Sequence, residues 1–377
     1  MKKILSFALL LSTLIISSNT LSNTGEYLIS EMEALRNSLS LDDPSRVELT
    51  LRLADLYFDV SIKEADGKSN PKELKAQREK ALNLYKFSLN GTNGLKKAEG
   101  LNRIKIQFQM ARLLTRLDEK ERAEKYYLSV QSNDKTPKKL VEQSSLGLAE
   151  WYEEDAQYIK ANTNYKKAIN LCDAVQTCNY AHYRRAWLLY KDTKLDAAIE
   201  ELKLSLWDQD KNIRENSLQD LLMFMSNAQT DGFKELEYIK SLSIKIKRND
   251  LNQKLTEAFY VAGNRRAGCN LLAEINKSEN NLYFDVRLLE EFYGFRNWDK
   301  VELYLSSLNK KTIKDIPTNK THQKEINKIL RRFVVQVDAE TTVVEELNVF
   351  LKKSIDIYLT LYPNDDLRKN MQQGWLK

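Results

Sequence analysis

Three cysteines, two histidines and scattered carboxylates are the residues from which this chain could assemble chemistry. Cys172 and Cys178 stand six apart in "LCDAVQTCNY". The pair is open to four readings: a metal clip, a redox motif, a disulfide, or two buried small side chains. The spacing excludes a CxxC redox site. Zinc wants further ligands; His182 is near in sequence, whereas Cys269 and His322 are far. No HExxH, no G-x-S-x-G and no phosphate loop occurs. The glycine cluster "NGTNG" at 90–94 follows no strand and reads as the turn after a helix. Acid pairs such as Glu153-Glu154 read as solvated or groove-lining side chains on helices. The expectation is a chain that is not an enzyme, with no cofactor, no metal and no small-molecule substrate.

The compartment bears on the remaining cysteine readings. The chain starts "MKKILSFALLLSTLIISSNTLSNTG". Two lysines, an apolar run from Ile4 to Ile16 and then small polar residues have the order of a secretory signal peptide. Residues 1–22 are expected to be removed before Asn23, with Thr20 and Ser22 meeting the small-residue rule; cleavage after Ser18 is the alternative. The apolar run is shorter than the roughly 20 residues that a membrane span requires, so an uncleaved anchor is the weaker reading. No cysteine lies near the cleavage zone, which argues against a lipoprotein, and no later segment has the length and apolarity to span a bilayer. The expected location is the periplasm, without membrane insertion after cleavage. Fifty-nine Lys and Arg against 53 Asp and Glu give +6, too balanced to point to nucleic acid.

The elements that must position any site are helices. Glycine is 11 of 377 residues, where about 7% is usual. Asp43-Pro44, Asn70-Pro71 and Thr136-Pro137 each read as an N-cap followed by proline at the first helical position. Pro363 stops the helix ending "IYLTLY", and Pro317 lies in a polar loop. The fold class is all-α.

The helices repeat. In "SSLGLAEWYEEDAQYIKANTNYKKAINLCDA", Ala149 is followed by Tyr152, Tyr158, Ala161, Tyr165 and Ala168. The twelve-residue step from Ala149 to Ala161 recurs from Ala111 to Ala123, with Tyr127 in phase, and from Ala186 to Ala198. A first copy holds Ala54, Tyr57, Ala81 and Tyr85, lengthened by the polar insert "KEADGKSNPKELKAQ". This small–aromatic–small pattern resembles the tetratricopeptide repeat (TPR), a 34-residue helical hairpin. The resemblance covers about residues 46–210 specifically and the rest loosely. It implies a right-handed superhelical α-solenoid of stacked hairpins: about four repeats over 23–210, then degenerate helical repeats and capping helices over 211–377.

In the later part, "NSLQDLLMFMSNA" pairs with "GFKELEYIKSLSIKI", and "NQKLTEAFYVAG" with "RRAGCNLLAEIN". A degenerate repeat places Phe292, Trp298 and Leu305 in packing positions. Two amphipathic helices follow, with apolar stripes Ile326, Ile329, Leu330, Val334 and Leu347, Leu351, Ile355, Tyr358. The tail, with Trp375 and Leu376, is a candidate cap. Cys269 reads as a small buried residue at a helix crossing.

In the family this chain resembles, the first helix of each repeat lines the concave groove. Carried over repeat by repeat, the lining comprises Asp55, Phe58 and Asp59; then Lys105, Phe108, Arg112 and Arg116; then Glu150, Glu153 and Glu154; then Tyr180, Tyr183, Trp187 and Tyr190. The acid-lined third repeat beside an aromatic patch points to a basic or mixed-charge segment of a partner protein, because aromatics and arginine are enriched where interfaces gain most of their energy. The two-carboxylate clamp of chaperone-binding members is not recognisable. The cysteine pair falls between the third and fourth repeats, where three extra residues enlarge the turn. In an oxidising compartment two cysteines flanking a turn read best as a disulfide, with free thiols and a metal site as the alternatives. The export signal and the tail look similar to exported repeat proteins of bacterial envelope machines, including gliding-motility complexes. The implied function is a scaffold binding protein partners in the envelope; a peptidoglycan-associated or wall-remodelling regulator is the alternative.

Overall fold

Proline and alanine set the ends and the pairing of the helices. The computed structural model describes residues 21–41, 43–63, 70–91 and 97–365. Among them are seventeen α-helices, two short 3-10 turns and no strand. The chain divides into two units, Met1–Arg214 and Glu215–Lys377. The expected signal peptide up to Thr20 and the tail carrying Trp375 and Leu376 lie outside the described residues.

Unit 1 holds α1 (Leu21–Ser38), α2 (Pro44–Lys63), α3 (Pro71–Asn90), α4 (Gly100–Arg116), α5 (Lys120–Ser132), α6 (Lys138–Glu154), α7 (Tyr158–Leu171), α8 (Val175–Lys191) and α9 (Leu195–Ser205). Helices α2–α3, α4–α5, α6–α7 and α8–α9 form hairpins, and each hairpin packs on the next. Within a hairpin the crossing point is a pair of alanines: Ala54 with Ala81, Ala111 with Ala123, Ala149 with Ala161, Ala186 with Ala198, all buried. A methyl group lets two backbones approach, and a large ring fills the space beside them. Tyr57, Tyr85, Tyr127 and Tyr165 are those rings, and all are buried. Between hairpins the approach is closer still at Gly147, where a Cβ would come within 2.7 Å of the Tyr127 ring.

Asn70 caps α3 as expected, its side chain accepting from the Lys72 backbone N–H at 3.0 Å. Asp43 likewise accepts from the Ser45 N–H at 2.8 Å. The third proline sits one residue earlier than expected: α6 starts at Lys138 and Pro137 takes the cap position. The Thr136 hydroxyl cannot cap because it donates to the Val130 carbonyl at the end of α5, at 2.7 Å. Gly91 ends α3 in the left-handed region, its N–H returning to the Phe87 carbonyl at 3.0 Å.

Helix α10 (Lys211–Asn227) carries the division between the units. Unit 2 continues with α11 (Phe233–Ile246), α12 (Leu251–Val261), α13 (Arg265–Glu279), α14 (Leu282–Gly294), α15 (Trp298–Leu308), α16 (Lys320–Thr341) and α17 (Asn348–Leu361). Helices α12–α13, α14–α15 and α16–α17 pair, and α11 packs on α12. Gly232, just before α11, lies against Phe259 and Leu271, which draws α11 toward the α12–α13 hairpin. The stripe Ile326, Ile329, Leu330, Val334 of α16 is buried as expected. On α17 the buried residues are Ser354, Ile357, Tyr358 and Leu361, with Leu347 just ahead of the helix, rather than Leu351 and Ile355. Steps of four residues drift by about 40° each around a helix of 3.6 residues per turn, so a stripe drawn in fours leaves the buried face.

One turn recurs in both units. In "LDE" the Leu117 N–H returns to Leu113, the Asp118 N–H to Thr115 and the Glu119 N–H to Leu114. The same three bonds close the turns at Asp155–Gln157 and Asp192–Lys194 in unit 1, and at Ala262–Asn264 and Phe295–Asn297 in unit 2. The middle residue is left-handed each time: Asp118 (φ 60°), Ala156 (57°), Thr193 (58°), Gly263 (81°) and Arg296 (56°). Only one of the five is glycine, the residue that adopts this conformation without strain. Five residues on stand Ala123, Ala161, Ala198, Gly268 and Val301, all buried. The repeat frame therefore extends into unit 2, where small crossing residues have partly given way to larger ones.

Candidate functional site

A cavity of about 350 Å³ opens on the first helices of three successive hairpins in unit 1. Helix α2 contributes Leu51 and Asp55, α4 contributes Lys105, Phe108 and Arg112, and α6 contributes Leu140 and Gln143; Tyr85 of α3 closes one side. The Tyr85 hydroxyl donates to Asp55 Oδ1. Burial lifts the Asp55 carboxyl above its usual range, opposed by the Tyr85 bond and the Arg112 charge and assisted by Asp59. The same burial, with the neighbouring carboxylate, raises the Tyr85 phenol and keeps it neutral.

Arg112 is held by rings rather than by an acid. Its guanidinium carbon lies 5.1 Å from the centroid of Phe58 and 5.9 Å from that of Phe108, and Nη1 donates to Gln109 Oε1 at 3.0 Å. Such cation–ring contacts contribute about 0.5–2 kcal/mol. Phe58 is 2% exposed; it is the floor under Arg112, not a lining residue. Phe108 is buried against Tyr127, edge to face at 6.2 Å. Lys105, Arg116 and Asp59 are exposed. Arg116 stands in the last turn of α4, where a cation is favoured by the helix dipole.

The acids of the third hairpin are engaged within the fold. Glu150 accepts from the Tyr180 hydroxyl at 2.9 Å. Glu153 accepts from the Tyr165 hydroxyl at 2.9 Å and pairs with Arg184 Nη2 at 2.9 Å. Arg184 also reaches the Tyr180 hydroxyl at 3.4 Å. Burial raises the Glu150 carboxyl, against the pull of Tyr180, Arg184 and Arg116. Glu154 alone of the three acids is exposed. Tyr183, Trp187 and Tyr190 are half-buried on α8, and the Trp187 and Tyr190 rings meet edge to face at 5.8 Å.

Cys172 and Cys178 are joined in a disulfide, Cα atoms 5.7 Å apart. Cys172 directly follows α7 and Cys178 lies in the first turn of α8. Lys138 pairs with Asp173 at 2.8 Å, and the Glu142 carboxylate accepts from Thr177, so the enlarged turn is also fastened to α6. His182 does not join the cysteines; its Nδ1 meets Glu201 Oε2 at 2.6 Å, and Arg185 pairs with the same carboxylate. No group of three or more His, Cys, Asp or Glu among the described residues is arranged to hold a metal. Cys269 is fully buried, and burial pushes its thiol up to about 12. No described helix is long and apolar enough to cross a membrane.

The first helices of unit 2 present a different chemistry. Arg287 on α14 bonds Glu257 on α12 at 2.5 Å and lies over the rings of Tyr260 (5.0 Å) and Tyr283 (5.6 Å). His322 also joins this group, stacked on Tyr283 at 4.2 Å. Tyr283 donates to Glu325 at 2.8 Å and Tyr293 to Glu340 at 2.9 Å. Arg332 bonds Glu290, and Arg296 bonds Glu340.

Sequence spacing placed Asp55, Lys105, Phe108 and Arg112 on one surface, and the cavity brings those four together. It missed Tyr85, assigned to packing alone, and Arg184, which ties the third hairpin to the fourth. Arg184 follows Tyr180 by four residues, one helical turn; that spacing marks it as a neighbour of the same face.

No family model matches the chain, and no curated protein does. Among solved structures it is similar to the crystal structure of a tetratricopeptide repeat protein from Parabacteroides merdae ATCC 43184, at 14% identity, over 73% of this chain and 98% of that one, with a TM-score of 0.34. The chain's own alanine crossings and recurring turn define it as an all-α array of TPR-like hairpins.

Proposed function

We propose that this chain is an exported, non-catalytic scaffold that holds partner proteins in a bacterial envelope complex of the gliding-motility type. The first-helix face of unit 1 is its binding surface. The observation that carries this reading is the cavity across α2, α4 and α6, with buried aromatics and oriented cations on one continuous surface. Interfaces gain most from such anchors. The Trp187 and Tyr190 rings extend the same set of first helices onto α8. Export is supported by the lysine-then-apolar order of residues 1–22 and by a disulfide between the only two closely spaced cysteines, since such bonds persist in oxidising compartments. The periplasm is the location this implies.

Recovery of cross-linked envelope proteins on wild-type chain and on Trp187→Ala/Tyr190→Ala is the test. Loss of the same partners from the double variant is expected; unchanged recovery refutes the surface assignment. Co-sedimentation with purified sacculi separates the wall-associated alternative, because a scaffold for proteins stays in the supernatant. Fusion of residues 1–22 to a phosphatase active only after export checks the location.

A further inference from the structure

We infer that the first-helix face of unit 1 takes an acidic protein segment, whose carboxylates meet Lys105, Arg112 and Arg116 while an apolar side chain enters the cavity beside Phe108. This rests on the reading of that face as a binding surface and adds the charge of its partner, opposite to what the acid-lined third repeat implies in the sequence.

Three of the five acids assigned to this face are already engaged, which leaves Asp59 and Glu154 exposed. Glu150 and Glu153 are bonded to Tyr180, Tyr165 and Arg184, and Asp55 accepts from Tyr85. The cations of α4 are in the reverse condition. Among the described residues, Lys105, Arg112 and Arg116 have no carboxylate within ion-pair distance, unlike Arg184, Arg185, Arg248, Arg265, Arg287 and Arg332. Arg103, Arg214, Arg266 and Arg331 share that condition, and α4 gathers three such cations on one face. Arg112 and Arg116 lie seven and eleven residues beyond Lys105, which brings all three within about 20° of one line along the helix, over about 16 Å. No single carboxylate reaches across that length, so the complementary ligand carries several acids. Arg112 is already oriented by Phe58 and Phe108. A planar guanidinium fixed in this way loses little freedom on accepting a bidentate carboxylate. Beside it, Leu51, Phe108 and Leu140 line a space of side-chain size.

The experiment is fluorescence anisotropy with the full-length exported chain and a labelled dodecapeptide of Glu, Leu and Ser, against analogues with Gln or Lys in place of Glu. The Glu peptide is expected to bind at least about tenfold more tightly than either analogue, and to weaken as salt rises. Lys105→Gln and Arg112→Gln are each expected to weaken it by about tenfold, with circular dichroism unchanged. Lys105 is exposed, so its variant keeps the test valid if Arg112→Gln unfolds. Equal binding of all three peptides, a preference for the Lys analogue, or indifference to both variants overturns the inference. If binding is then still lost in Trp187→Ala/Tyr190→Ala, the surface assignment survives and only the charge assignment falls. No peptide binding, with sedimentation on sacculi that depends on Lys105 and Arg112, overturns both.

Discussion

On the first helices of unit 2, Arg287 is bonded to Glu257 and Arg332 to Glu290, each on the preceding first helix, and in the turn after α14 Arg296 is bonded to Glu340. On α4 of unit 1 three cations run along one face with no carboxylate at ion-pair distance; Arg112 and Arg116 act on Asp55 and Glu150 only through space, and those two acids are bonded to tyrosines. The backbone module is the same, down to the hydrogen bonds of its turn. What differs is whether the charges close on each other or remain for something else. A charge that fastens one helix to the next contributes to stability; one that is oriented and unpaired has the condition the proposed acidic segment requires.

The largest effect is expected where unit 2 is most closed. Asp285 and Lys311 are both buried; Asp285 accepts from Asn276 at 2.6 Å and Ser307 at 3.2 Å, while Lys311 donates to Asn280. Asp285→Ala strands a buried ammonium and should cost about 3–5 kcal/mol in denaturant unfolding. An unchanged midpoint would show that the network does not hold unit 2. Next comes the staple of unit 1. Cys172→Ser/Cys178→Ser should cost roughly 2 kcal/mol, from the entropy of the short loop it closes, read by the same method under non-reducing conditions.

Arg112→Gln against Arg287→Gln tests the contrast directly. The first should lower affinity for the Glu peptide by about tenfold, close to 1.4 kcal/mol, and leave the unfolding midpoint near wild type. The second should do the opposite, because it breaks the bond to Glu257 and uncovers two rings. Matching behaviour of the two variants would erase the distinction between the faces.

The smallest effect is a pH dependence. Asp55 has a folded-state pKa above its unfolded one, chiefly from burial. Its charge therefore opposes folding at neutral pH, and the penalty fades as pH falls through the raised value, vanishing below the unfolded one. Asp55→Asn keeps an acceptor for Tyr85 and should be slightly more stable than wild type at pH 7, the margin closing toward pH 4. A margin that grows with acid would reverse the assignment.

The hairpins of unit 1 were legible because alanine at fixed steps has one strong cause, close backbone approach, and buried tyrosine has another. The turn was not, since Asp118, Ala156, Thr193 and Arg296 carry no glycine signal and are held left-handed by the helices they join. The chemistry of the groove was half legible. Helical position told which residues share the first-helix face, yet it could not tell that Glu153 is held by Tyr165 from the next helix and Arg184 from the one after. Position assigns a side chain to a face; the partners it finds there decide its charge state and its use. Leu347 and Tyr358 of the last stripe are buried as expected, while Leu351 and Ile355 drift off the buried face because the period is rounded to four.

The disulfide has a kinetic consequence. Each hairpin of unit 1 rests on its neighbours along the stack, so the array behaves as a row of coupled segments that can fray from an end while the rest stays folded. The recurring turns tie helices within hairpins. Cys172–Cys178 instead joins the α6–α7 hairpin to the α8–α9 hairpin. Opening that advances through α9 and α8 meets at the 172–178 loop a segment that gains less freedom on unfolding than the rest of the chain. Amide exchange should then step sharply across the junction in the oxidised chain and become a smooth gradient once the bond is reduced.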